Sequence, residues 1–291
     1  MIEETDLQRV EAAVRAVKGI GEVSVLTRSI LGKNIPLVSL GRGRRAVLYV
    51  GGMRGTDSES SGVLLQFLAD YAEHYARRAT VYGYPMTYLH EERKIYLLPM
   101  LNPDGVEYCL HGTDERNPLF ERVMRMLGDG SLANWQANAR GVDPERNFDA
   151  GFAENKARER AAGISGGAAA GYSGEFPESE PETAALCRFL RRHREEIVGV
   201  LSLHRGNGEI FCSCGDNLTA KTVSVGRVLS RMTGYGMTRP ESLSPIGSLS
   251  DWCITALSRP AFTVQYEGKA ENTALTYEKL RRALFSFPCI V

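Results

Sequence analysis

Residues 46–57 read Ala46-Val47-Leu48-Tyr49-Val50-Gly51-Gly52-Met53-Arg54-Gly55-Thr56-Asp57, a strongly β-forming apolar run that meets a glycine pair. A continuous apolar strand of this kind belongs in a sheet covered on both faces. The next segment, from about Ser60 to Arg78, has the pattern of a helix. The order of apolar strand, glycine-rich turn and helix puts the turn at the carboxyl edge of the sheet, where α/β proteins assemble their sites.

The same alternation extends in both directions. Thr5 with Gln8 forms a capping box for a first helix running to about Lys18, with Val10, Ala13, Val14 and Val17 as its apolar stripe. Extended runs follow at Glu22–Thr27 and Ile35–Leu40, separated by the turn at Gly32-Lys33. Ile95–Leu98 is a further buried strand, ended by Pro99 and followed by the turn Asn102-Pro103-Asp104-Gly105. Loops are expected from there to about Phe176, with a helix near Leu119–Leu127 and a flap over the Gly/Ala-rich stretch Gly163–Gly171. Ser179 is the expected N-cap of a helix reaching about Glu195, with Glu182 returning the hydrogen bond and Pro181 in the first turn. Ile197–Leu203 is an apolar strand ending at His204. A helix over about Thr219–Met232, a strand Ala261–Val264 and a closing helix over about Thr276–Phe285 complete the pattern. Strands alternating with helices predict one three-layer α/β/α domain over residues 1–291, built on a mixed, mostly parallel sheet.

Composition narrows the function classes. Lys+Arg 35 balances Asp+Glu 35, so bulk charge calls for neither nucleic acid nor an anionic membrane. No apolar run approaches the roughly 20 residues of a membrane span, and the acidic, polar start Met1–Gln8 has no apolar signal region. A cytoplasmic protein is expected. The six cysteines (Cys109, Cys187, Cys212, Cys214, Cys253 and Cys289) are scattered through apolar segments, as reduced buried thiols are. Cys212 and Cys214 share a strand face, but no second pair accompanies them to complete a metal site.

Several short segments carry a resemblance. Ser29 with Gly32-Lys33, Gly52-Met53-Arg54-Gly55-Thr56-Asp57, Asn102-Pro103-Asp104-Gly105 and Val142-Asp143 with Arg146-Asn147 are the first of them. Ser179-Glu180-Pro181-Glu182-Thr183, Leu201-Ser202-Leu203-His204, Asp251-Trp252 and Phe262-Thr263-Val264-Gln265 continue the order. From about Ser29 to Glu267 this arrangement resembles the zinc carboxypeptidase family, the carboxypeptidase A-like metallopeptidases. Trp135–Gly141 and Asp251-Trp252-Cys253 are similar to bacterial members resembling γ-D-glutamyl-diaminopimelate peptidases, which cut cell-wall peptide stems.

The resemblance implies a zinc site, and residue chemistry conflicts with it. Arg54 and Asp57 stand in the positions of the family's His-x-x-Glu ligands, and His204 matches its second histidine. Arginine stays protonated and has no lone pair for a metal, whereas Asp57 retains a carboxylate on a shorter arm. Gln265 stands where the family has its general-base glutamate, and an amide accepts no proton. The family's mobile tyrosine aligns near Leu243. Arg140 matches the arginine that polarises the scissile carbonyl, and Arg146 the one that holds the substrate carboxylate, with Glu145 replacing its asparagine neighbour.

The expectation is therefore a zinc carboxypeptidase-like protein that is catalytically impaired and binds peptide or peptidoglycan-stem peptide. The guanidinium of Arg54 would occupy the metal's space, paired to Asp57 and Glu145, and Arg140 and Arg146 would meet the ligand. No cofactor is expected, with zinc as the alternative if the site still functions. In that alternative Asp57, Glu59 and His204 are the ligands, Glu267 is the base, and the protein is an active metallocarboxypeptidase.

Overall fold

The structure, a computed structural model, is described for residues 4–17, 19–212, 218–238, 247–267 and 273–291. Cys214 and Leu243 lie outside the described residues. The chain begins with α1 (Leu7–Ala16), β1 (Gly21–Arg28), β2 (Asn34–Leu40), β3 (Arg45–Val50) and α2 (Ser58–Ala76). A two-stranded ribbon of β4 (Thr80–Val81) and β5 (Tyr84–Pro85) leads to α3 (Met86–Glu92) and β6 (Arg93–Leu98). Three helices follow, α4 (Pro103–His111), α5 (Phe120–Leu127) and α6 (Phe152–Ala161), and then α7 (Pro181–Arg192). The remainder is β7 (Ile197–Gly206), β8 (Glu209–Cys212), α8 (Ala220–Thr233), β9 (Gly236–Thr238), α9 (Leu249–Leu257), β10 (Ala261–Glu267) and α10 (Thr273–Ile290).

Among the described residues the main sheet has the strand order β1-β2-β6-β3-β7-β10-β8-β9. Its centre, β6-β3-β7-β10, is parallel throughout, while β1, β2 and β8 join antiparallel. One face packs Val47, Tyr49, Leu201, Leu203, Phe262 and Val264 against α1, α2, α3, α8 and α10. The other packs Leu48, Val50, Ile197, Val200 and Ala261 against α7 and α9, with Trp252 fully buried between them. Both faces of β3 are thus covered, as its unbroken apolar run requires. No helix among the described residues is long and apolar enough to cross a membrane.

Local chemistry corrects several expectations. Asp6, not Thr5, caps α1 by accepting from Arg9 N at 2.8 Å. Asn102-Pro103-Asp104-Gly105 opens α4 instead of forming an isolated turn, because Asn102 Oδ1 accepts from Gly105 N at 3.0 Å and Pro103 occupies the first helical position. The segment expected as loop also holds α6. At α7 the cap position belongs to Glu180, not Ser179: the Ser179 hydroxyl donates to Glu180 Oε1 at 2.9 Å. Glu182 does not turn back to the cap. Its Oε1 accepts from Ile30 N at 3.2 Å, tying α7 to the β1–β2 turn.

Glu182 is fully buried beside two other buried carboxylates, Asp104 and Glu180. Asp104 is held by Ser29 Oγ at 3.0 Å, Leu31 N at 2.9 Å and Lys33 Nζ at 3.5 Å. Burial first, and then the charges of Asp104 and Glu180, push the Glu182 carboxyl up to about 8. A carboxyl whose folded value lies above its unfolded one keeps an extra proton in the native state, so its contribution to stability falls as pH rises from about 4.5 towards 8. Denaturation measured across pH 5 to 9 should show the wild type losing up to about 1.4 kcal/mol per pH unit relative to Glu182→Gln, which has no such proton to lose. Parallel pH curves for the two proteins would contradict this account of Glu182.

Candidate functional site

The site forms at the carboxyl edge of β3, β7 and β10. After β3 the chain turns through Gly52, at φ +53°, into a short 3-10 helix at Gly55–Asp57. Gly55 N donates to Gln136 O at 3.1 Å, and a Cβ at Gly55 would lie 2.2 Å from Trp135 O, so only glycine permits this backbone contact. Ser60 Oγ braces the turn, accepting from Gly52 N and donating to Asp57 O at 2.8 and 2.7 Å.

Asp57 emerges fully buried against β7. Its Oδ2 lies 2.8 Å from His204 Nδ1, and its Oδ1 accepts from Arg205 N at 3.1 Å. The other ring nitrogen of His204, Nε2, faces Glu145 Oε2 at 3.4 Å. His204, Asp57 and Glu145 are 0, 1 and 2 % exposed, so all three ionisable groups are out of contact with water. The imidazole is thus divided between two carboxylates carried by different loops.

Arg54 completes the cluster. Its Nε is buried with no hydrogen-bond partner among the described residues. Burial alone would pull the guanidinium down, but Asp143, Asp57 and Glu145 together hold it above its ordinary value. For Asp57, burial is outweighed by the His204 hydrogen bond and by the charges of His204 and Arg54, so its carboxyl is lowered. For His204, burial is outweighed by Glu145 and by the Asp57 hydrogen bond, so it is raised. These directions describe an Asp57 carboxylate with a His204 imidazolium. Glu145 moves the other way, because burial exceeds the help it receives from His204 and Arg54. Of the two carboxylates beside His204, Glu145 is the more readily protonated.

The remaining expected site residues are distributed around this centre. Gln265 pairs with His204 in parallel register, which puts both on one face of the sheet. Its amide lies over Gly206, where a Cβ would sit 2.4 Å from Gln265 Oε1. Arg140 Nε lies 3.2 Å from Glu180 Oε2 and Arg146 Nε 3.6 Å from Asp143 Oδ2, so each of these cations has a neighbouring protein carboxylate. Glu59 is buried, but its Oε1 is turned to Thr276 of α10, from which it accepts at 2.8 Å. Glu267 is at the exposed end of β10, 3.4 Å from Lys279. The Asp57, Glu59 and His204 ligand set with a Glu267 base is therefore not assembled. Among the described residues no group of three or more His, Cys, Asp or Glu side chains could hold a metal ion.

Asp143 and Glu180 were missed as functional candidates. Asp143 helps set the charge state of Arg54, and Glu180 orients Arg140. Both lie in segments that carry the family resemblance, Val142-Asp143 and Ser179-Glu180, but the meeting of Glu180 with Arg140 is made by the fold.

Comparison with known proteins bears on this geometry. A family model described as zinc carboxypeptidase matches residues 8–274. The γ-D-glutamyl-L-diamino acid endopeptidase 1 of Lysinibacillus sphaericus is 24% identical over 262 residues, 89% of this chain and 63% of that protein. Carboxypeptidase B of Homo sapiens is 30% identical over 276 residues, 89% of this chain and 61% of that protein. The chain spans less than two thirds of the length of these relatives. Bovine thrombin-activatable fibrinolysis inhibitor, solved with tick carboxypeptidase inhibitor, superposes with a TM-score of 0.70 at 18% identity, covering 98% of this chain and 96% of that one. Murein-tripeptide amidase MpaA from Escherichia coli O157 superposes at 0.57 and 22% identity, covering 94% of each chain. At these identities the two structures establish a shared fold.

Removing one partner of a buried ion pair leaves an uncompensated charge, which typically destabilises by about 3–5 kcal/mol. Asp57→Ala, which removes the hydrogen-bonded partner of His204 and a charge partner of Arg54, should lose stability of that order in urea denaturation. A loss below about 1 kcal/mol would mean that the cluster relaxes without Asp57.

Proposed function

The chain belongs to the zinc carboxypeptidase family, and from that premise we propose that it is a member in which an internal ion cluster stands where the metal centre would be. On this reading hydrolysis is lost or weak, and the binding of peptide or cell-wall peptide is retained.

The observation that carries the proposal is the division of His204 between Asp57 at 2.8 Å and Glu145 at 3.4 Å, with Arg54 alongside. A catalytic zinc requires about three lone pairs converging on one point roughly 2.0–2.2 Å away. Arg54 offers none, and the two nitrogens of His204 are directed at different carboxylates. These residues do not fit zinc. Positive charge is supplied by Arg54 and the His204 imidazolium, and neither brings bound water to a pKa near neutrality as a metal does. The Gln265 amide adds a second deficit, since loss of a general base typically lowers rates by about 10²–10⁴.

Binding needs neither hydroxide nor base. The likeness to a γ-D-glutamyl-L-diamino acid endopeptidase of Lysinibacillus sphaericus and a murein-tripeptide amidase of Escherichia coli supports a peptide or peptidoglycan-stem peptide as ligand. Arg140 and Arg146, beside Glu180 and Asp143, are the cations this reading assigns to it. No disulfide joins the five described cysteines, which supports a reducing compartment such as the cytoplasm.

Protein equilibrated with zinc and stripped of loosely held ions should retain far less than one zinc per chain, and it should bind a synthetic murein tripeptide without cleaving it. Arg54→His combined with Asp57→Glu should raise the retained zinc towards one per chain. One tightly held zinc in the wild type, lost in His204→Ala, or turnover of the tripeptide, would overturn the proposal.

A further inference from the structure

Beside the Arg140 loop lies a partly open cavity of about 200 Å³, room enough for a side chain. Arg122, Arg140, Tyr172, Glu175, Phe176 and Glu180 supply its chemistry. Phe176 is 58 % exposed, a large aromatic left in water at this position. Single exposed aromatics are ordinary, so Phe176 alone means little. Its neighbours give it significance.

Two arginines and two glutamates line the cavity, but these charges are not equally placed. Glu180 is buried and already engaged: it accepts from Asn138 Nδ2 at 2.7 Å and Ser179 Oγ at 2.9 Å, and it lies 3.2 Å from Arg140 Nε. That pairing leaves the outer nitrogens of Arg140 available. Arg122 donates through Nε to Arg140 O at 3.3 Å and through Nη2 to Gly166 O at 2.6 Å. Both acceptors are neutral carbonyls, so they orient Arg122 without cancelling its charge. Arg140 is the guanidinium paired to the buried Glu180, and the exposed Glu175 lines the same cavity. Planar, pre-oriented guanidiniums beside an apolar wall are suited to a carboxylate.

We infer that this cavity is an anchoring pocket for a carboxylate-bearing side chain of the bound ligand, gripped by Arg122 and Arg140 with Phe176 packing along its stem. The inference rests on the peptide-binding reading for its biological ligand, but the pocket's chemistry is testable without a peptide.

Titration calorimetry at low ionic strength with N-acetylglutamate and N-acetylglutamine, each as its α-amide so that only the γ-group differs, separates charge from shape. Wild-type protein should prefer the glutamate by about tenfold, equivalent to about 1.4 kcal/mol. Arg122→Gln, at an exposed position, should abolish that preference with an unchanged melting temperature. Glu175→Gln should increase it severalfold by removing a like charge from the lining, and added salt should weaken it. Equal binding of the two probes, no binding of either, or a preference that survives Arg122→Gln would overturn the inference. A pair of N-acetylated, C-amidated tetrapeptides differing only in Glu or Gln distinguishes the two readings. If N-acetylglutamate binds and neither tetrapeptide nor murein tripeptide does, the pocket stands and the peptide-binding proposal falls. If both tetrapeptides bind equally well, the proposal stands and the pocket falls.

Discussion

The contact between Asp57 and His204 is the constraint on which the rest of the site depends. It joins the turn after β3 to the end of β7 across 147 residues of sequence, with both groups out of water. A buried ion pair is weak evidence of net stabilisation, because desolvation offsets most of the attraction. It is strong evidence about position, because neither group can move without breaking a buried, charge-assisted hydrogen bond. Asp57 also accepts from the Arg205 backbone, so the carboxylate secures the strand as well as the ring. Once it is held, Ser60 and the close approach of Gly55 to Trp135 define the path of the turn that carries Arg54.

Around this pair the protein balances charge locally. Arg54 faces Asp143, Asp57 and Glu145, Arg140 faces Glu180, and Arg146 faces Asp143. An incoming anion therefore meets cations that already have partners. Long-range attraction would be weak, and selection would fall to shape and to individual donors in cavities. The same pairing places a carboxylate beside each of these arginines.

Legibility differed with the range of the interaction. The central strands were readable, since β3, β6, β7 and β10 are continuous apolar runs covered by helices on both faces. The helices after β6 were harder. Asn102-Pro103-Asp104-Gly105 has the composition of a turn, and what makes it the start of α4 is the Asn102 cap with Pro103 behind it. Phe152–Ala161 was hidden because its apolar stripe is faint; its inward-facing residues include Asn155 and Glu159. Ser179 and Glu182 satisfied a local capping rule, but Glu182 is bound by Ile30, 152 residues away. A tertiary partner displaced the local one.

The sequence by itself determined which chemistry is available. An arginine at 54 has no lone pair and a glutamine at 265 accepts no proton, whatever the fold does. It also determined the layered architecture, because apolar period and length decide how many faces of a strand need covering. Only the tertiary structure decided the partners: His204 between Asp57 and Glu145, Glu59 turned to Thr276, Glu267 out beside Lys279, and Arg122 set next to Arg140. Lone pairs and charge belong to a residue wherever it stands. Its distance from another residue far along the chain, and so which groups meet, is set by how the sheet and its loops bring the segments together.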